Sequence, residues 1–238
     1  MSAAGFASSK NYNGPPPSYD AISPLTNQPD TFNSAVFSNP IKGISPGLEC
    51  LTQVNQLLVQ EKFTTAQRIG RAFQVMNEAG QQMFQANEQV RCCRSVPDLT
   101  FRDPSGRGVI DVTQNCKCSC SEIVIEVNAS PGQCIGYVAW MWNTFATHIV
   151  VKNINQEAIL LILGPGLQTC IFGNVNFEIK SRDEQHTVGM IRSENDTFVV
   201  SFPVDLDVTI KALLLAAGYY LNTAIYGKRR QVANRPSN

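Results

Sequence analysis

Asp205-Leu-Asp-Val-Thr-Ile-Lys-Ala-Leu-Leu-Leu-Ala-Ala-Gly-Tyr-Tyr-Leu-Asn-Thr-Ala-Ile-Tyr226 is the most apolar run of the chain, and Lys228-Arg229-Arg230 follows it almost at once. Leu, Ala and Tyr recur without alternation and the run outlasts an ordinary strand, so it predicts a helix, with Asp205 or Asp207 capping the first turn. From Val208 to Tyr226 such a helix measures ~28 Å, close to the hydrocarbon thickness of a bilayer. Lys211 interrupts it, however, and the uncharged part from Ala212 falls short of the ~18 residues of a clear span. Two readings therefore stay open. Either Lys211 snorkels from a membrane helix to the headgroups, or the helix is apolar all round because protein encloses it. Val208, Lys211, Leu214, Leu215, Gly218, Leu221 and Ile225 mark the helix in both.

The chain before it supplies something that can enclose a helix. Short apolar runs separated by turn residues begin with two hairpins, Ala72–Met76 with Gln82–Ala86 and Leu99–Arg102 with Val109–Val112, turning at Asn77-Glu-Ala-Gly80 and Asp103-Pro-Ser-Gly106. In Ser121-Glu-Ile-Val-Ile-Glu-Val127 the side chains Ile123, Ile125 and Val127 share one face, as in a half-buried strand. Further strands are expected at Cys134–Met141, Thr147–Lys152, Ala158–Leu163, Val175–Lys180, Thr187–Arg192 and Thr197–Phe202, with a weaker one near Lys62–Ile69. Leu48, Leu51, Val54 and Leu58 instead have the spacing of a short amphipathic helix. About twelve strands with no helix between them predict a closed antiparallel barrel, mainly β, wide enough to hold the apolar helix.

Composition limits the rest. The 238 residues carry no formal net charge and only 16% are charged, which disfavours a broad electrostatic partner such as duplex nucleic acid. No secretory leader is evident, so the eight cysteines are expected to be mostly reduced. Residues 1–45, rich in Pro, Ser and Asn, read as a disordered tail, 46–227 as the barrel domain and 228–238 as a basic polar tail. Within the first, Pro15-Pro16-Pro17-Ser18-Tyr19 places Pro16, Pro17 and Tyr19 at the P-P-x-Y spacing that WW domains bind, or simply forms a solvated linker.

Pro46-Gly-Leu-Glu49 with Leu51 and Gln53, Ile135-Gly-Tyr-Val138, Gly164-Pro165, Asn176-Phe-Glu-Ile-Lys-Ser181 with Asp183-Glu184, and Phe202-Pro-Val-Asp-Leu-Asp-Val208 resemble the phospholipid scramblase family. The blocks run in order from about Pro46 to Tyr226, and the proline-rich head with its PPxY motif is also similar. The resemblance implies a tubby-like fold, twelve strands around a C-terminal helix, and ATP-independent, calcium-dependent movement of phospholipids between leaflets. It further implies a plasma-membrane location with the barrel facing the cytoplasm.

Two groups of residues carry the chemistry that this implies. Cys116, Cys118 and Cys120 alternate, so an extended segment presents all three on one side, and Cys92-Cys93 lies in another expected loop. This is a poor zinc pattern, since the only histidines are His148 and His186. The family carries a denser, S-palmitoylated cluster there, which makes these five thiols candidates for palmitate, with unmodified loop thiols the alternative. Ser193 to Asp205 is similar to the family's proposed calcium loop and offers Glu194, Asp196 and Asp205 as oxygen ligands. Val199 stands where an EF-hand turn needs Gly, so turn residues plus a helix cap are the competing reading.

Two functions follow. One is a membrane-associated scramblase, not a hydrolase or nucleotide-dependent enzyme, since no catalytic motif is present. A single helix cannot form a polar path across a bilayer, so this activity calls for a homo-oligomer or for bilayer distortion. The other is a lipid-anchored adaptor that does not move lipid and recruits WW-domain proteins.

Overall fold

The computed structural model describes residues 43–62, 70–89, 97–114, 122–141, 146–166, 174–194 and 197–233, giving the backbone alone for Glu194 and residues 226–233. Twelve strands form one closed antiparallel barrel in sequence order: β1 (Gln56–Lys62), β2 (Ala72–Asn77), β3 (Gln82–Gln89), β4 (Asp98–Arg102), β5 (Gly108–Gln114) and β6 (Glu122–Ala129), then β7 (Gln133–Met141), β8 (Ala146–Lys152), β9 (Ala158–Pro165), β10 (Val175–Ser181), β11 (Thr187–Glu194) and β12 (Thr197–Ser201). Closure falls between β1 and β12, where Val59 faces Phe198 on one side and Val75 of β2 on the other. An α-helix, α1 (Val208–Ala233), follows.

Alternation decides which way each strand faces. In β1 the buried positions are Leu57, Val59 and Glu61; in β3 they are Phe84, Ala86 and Glu88. These period-two faces meet inside the barrel, and the expected hairpin turns close as read: Gly80 N–H donates to Asn77 and Gly106 N–H to Asp103.

A twelve-stranded barrel is too wide for its own side chains to fill. Helix α1 occupies the interior, and every residue from Lys211 to Asn222 is buried. The wall is fitted to it: a Cβ on Gly218 would lie 2.7 Å from Val200, and one on Gly136, whose φ is +153°, would lie 2.9 Å from Leu213. Aromatic rings hold the helix laterally. Tyr219 meets Phe73 edge-on at 5.2 Å between centroids, and Tyr220 meets Trp140 at 5.0 Å.

Two expectations needed correction, and a third falls on residues that are not described. The amphipathic spacing of Leu48 to Leu58 is divided between a 3-10 helix, Glu49–Gln53, and β1, because pairing with both β2 and β12 outweighs local helical preference. The weak strand placed near Lys62–Ile69 lies outside the described residues apart from Lys62, which ends β1. The helix does not stop at Tyr226 but continues through the basic run to Ala233.

The barrel has two unlike ends. At the near end, where α1 starts, adjacent strands are joined by tight turns at 78–81, 103–107, 130–132, 153–157 and 182–186. At the far end they are joined by the segments 63–71, 90–97, 115–121, 142–145, 166–174 and 195–196.

Candidate functional site

Both ends of the buried part of α1 are tied to the wall by polar side chains. Asp207 caps the helix, its Oδ1 accepting from Thr209 N at 2.8 Å, while Lys211 N–H bonds to the Asp207 carbonyl. One turn in, Lys211 is wholly buried. It does not snorkel. Its ammonium donates to the carbonyls of Leu51 and Val54, both at 2.9 Å, and Val204 at 2.6 Å, with Thr52 further off at 3.4 Å. Three protons thus meet three close oxygens, and the Phe202 ring lies 5.5 Å from the nitrogen. Burial pulls the Lys211 pKa below its ordinary value, with Asp205 and Asp207 acting against that shift.

At the far end Arg71, just before β2, grips Glu88 of β3 from its Nε at 2.9 Å, its Nη2 at 2.5 Å and its backbone N–H at 3.1 Å. Tyr219 donates to the same carboxylate at 2.9 Å, and Thr223 accepts from Arg71 Nη2 at 2.7 Å. Glu61 stands 3.6 Å from Arg71 Nη1, and the Phe73 ring 5.1 Å from the guanidinium carbon. Burial lowers the Arg71 pKa, but the hydrogen bond and charge of Glu88 outweigh it and the net shift is upward. Burial, seconded by the Glu88 charge, raises the Tyr219 phenol well above its usual range.

Beside this group, the Asn222 side chain is fully buried with neither amide atom hydrogen-bonded among the described residues. Such a group costs about 1–3 kcal/mol.

Of the residues expected to matter, the helix markers Lys211, Leu214, Leu215, Gly218, Leu221 and Ile225 all lie buried in the barrel, with Val208 half-buried at its mouth. By length and composition Val208–Ile225 suffices to cross a membrane, yet 72% of it is buried inside the protein. Glu194 and Asp205 are not brought together: Glu194 closes β11 at the far end, and Asp205 follows β12 at the near end, with Thr197–Ser201 extended between them. That strand alone spans over ~13 Å, more than any shared calcium shell with ligands at ~2.5 Å can bridge. Among the described residues no three His, Cys, Asp or Glu side chains stand close enough to hold a metal ion. Asp196, Cys92, Cys93, Cys116, Cys118, Cys120, Pro16, Pro17 and Tyr19 lie outside the described residues.

Cys50 and Cys134 are half-buried free thiols, and burial pushes the Cys50 thiol up to about 12, so it is a packing residue without thiolate reactivity.

The fold and these anchors define a barrel plugged by its own C-terminal helix. The family model described as Scramblase matches residues 34–228. Phospholipid scramblase family member 5 of Homo sapiens is 32% identical over 75% of this chain and 76% of its own, and phospholipid scramblase 1 of Homo sapiens is 32% identical over 74% of this chain and 64% of its own. A solved protein of Arabidopsis thaliana aligns at a TM-score of 0.45 with 11% identity, covering 75% of this chain and 99% of that one. The chain belongs to the phospholipid scramblase family.

Proposed function

We propose that this protein moves phospholipids between the leaflets of a membrane without ATP, and that it does so with α1 retained inside the barrel. Family membership supports the activity, and the anchoring of α1 at both ends supports the manner. A bilayer could accept α1, but it could not accept the wall that α1 leaves behind. Val59, Phe73, Val75, Phe84 and Phe101 would then line a water-filled barrel, each losing about 1.5–3 kcal/mol of burial. That loss matches the whole stability of an ordinary domain, roughly 5–15 kcal/mol. Transport then proceeds by distortion of the bilayer against which the barrel is held.

Acylation of Cys92, Cys93, Cys116, Cys118 and Cys120 would hold it there. The strand ends that flank these thiols, Gln89 with Asp98 and Gln114 with Glu122, all belong to the far end. More than one acyl chain suffices for stable anchoring. The membrane so reached is the plasma membrane, from its cytoplasmic side. Calcium activation would rest on Glu194 and Asp196 without Asp205.

Purified protein in liposomes should equilibrate a labelled phospholipid between leaflets, faster with calcium, and more slowly in the Glu194→Gln variant. A protected lipid fraction that stays constant at high protein loading rules the activity out. Pro16, Pro17 and Tyr19 give a WW-domain partner as an accompanying role; Tyr19→Ala should abolish capture by WW domains, and capture that survives it removes that role.

A further inference from the structure

The outer wall of the barrel is not uniform. From β3 to β6 the outward positions that face one another are polar, as in the row Asn87, Thr100, Asp111 and Asn128. From β6 to β9 the corresponding row is Val124, Ala139, Val150 and Leu161, an apolar cluster separate from the interior core. The next row towards the far end adds Met141, His148 and Leu163.

These side chains point away from α1, yet Ala139 is fully buried and Val150 and Leu161 are only 9% and 8% exposed. A salt bridge accounts for the first. Lys152 stands opposite Tyr137 and Glu122 opposite Met141, so their 3.0 Å contact crosses β7 above Ala139. Lys180, opposite Leu161, instead turns along its own strand to Glu178 at 3.2 Å. The described elements packed on β8 and β9 are their neighbouring strands and, from within, α1. A polar atom repeats the pattern: His148 Nε2 is shielded from water and meets no hydrogen-bond partner among the described residues.

The chain itself supplies a cover for this wall. The family match begins at residue 34, whereas the described chain begins at Gly43. The intervening Ser34-Ala-Val-Phe-Ser-Asn-Pro-Ile41 is uncharged and carries Val36, Phe37 and Ile41. Its exit lies beside the near end of β6, because a Cβ on Gly47 would be 2.7 Å from Val109, whose carbonyl accepts from Ser130 N–H just past that strand. Val124 is six residues from Ser130 along β6, ~20 Å, and an extended 34–42 reaches ~30 Å. The apolar wall measures ~19 Å by ~14 Å, four strands by two rows of side chains. That is under half of the ~800 Å² that each partner of a stable dimer buries, which fits one short segment better than a second copy.

We infer that residues 34–42 fold back on the outer wall of β6–β9, with Phe37 covering Val150 and Leu161. The inference stands apart from lipid movement. Docking also sets where the tail leaves the barrel, so a WW domain bound at Pro16, Pro17 and Tyr19 is held beside this wall.

The test puts the photo-crosslinker p-benzoyl-phenylalanine in place of Phe37 in the full-length chain. Irradiation should give a product of monomer size, joined within β7 to β9. A product of dimer size would give the wall to a second copy, and cross-links to other strands, or none, would leave the wall without this segment; each overturns the inference. Stability supplies a second readout. Phe37→Ala should lower the melting temperature by about 5 °C, and about half of that loss should vanish in a Leu161→Ala background. Equal losses in the two backgrounds, or no loss at all, contradict the contact.

Discussion

Lys211 Nζ lies 2.9 Å from the carbonyl oxygen of Val54, joining residues 157 positions apart in the chain at the point where α1 enters the barrel. A charged side chain that looks like a flaw in a membrane helix is here the link between the last element and the first. It explains why the helix can be this apolar without being a span.

Replacing Lys211 by Met keeps the volume and removes the donors, leaving the carbonyls of Leu51 and Val54 buried without the ammonium, while that of exposed Val204 can turn to water. Each orphaned acceptor costs about 1–3 kcal/mol, partly offset by no longer burying an ammonium. A net loss of about 3 kcal/mol is expected in urea unfolding. A Lys211→Met protein as stable as wild type would mean that the cage is not formed.

Gly218→Ala separates an enclosed helix from a free one by sign. In an isolated helix Ala gains about 1 kcal/mol over Gly. Against Val200, which a Cβ would meet at 2.7 Å, overpacking should instead cost about 1–2 kcal/mol. Adding Val200→Ala should recover part of that loss. Stabilisation by Gly218→Ala alone would place the helix elsewhere.

Tyr219 makes stability depend on alkaline pH. Its folded phenol is raised well above the ordinary ~10, so the unfolded chain releases this proton first as pH rises. The stability it contributes is complete below pH ~10 and is lost progressively above it. Wild type should therefore show a falling melting temperature above that pH, less steeply in Tyr219→Phe, and phenolate absorbance from Tyr219 should develop only together with unfolding. Ionisation of Tyr219 in the folded protein would contradict its bond to Glu88.

The barrel could be read in the sequence because its strands alternate and its turns carry Asn, Asp and Gly at the required places. The helix was legible for its length and apolarity, whereas its surroundings came only from the strand count. What escaped was pairing across the chain. Glu61 and Glu88 fall on the buried face of β1 and β3, in line with Leu57 and Val59 and with Phe84 and Ala86. An acid in phase with a buried apolar row is the signal that flags them. Nothing local, however, names Arg71 and Tyr219 as the partners. Glu194 and Asp205 show the converse, since closeness in sequence suggested one site and a strand between them puts them at opposite ends.

Trp140 offers the most direct measurement of whether α1 stays in the barrel while lipid moves, because its ring packs on Tyr220 of the helix at 5.0 Å between centroids. With Trp142→Phe it becomes the sole tryptophan of the chain. In vesicles that show lipid scrambling by this variant, Trp140 emission should match that of the protein free in solution and resist both acrylamide and brominated lipid. A red shift with quenching by acrylamide, or quenching by the brominated chains, would show that the helix leaves the barrel to work.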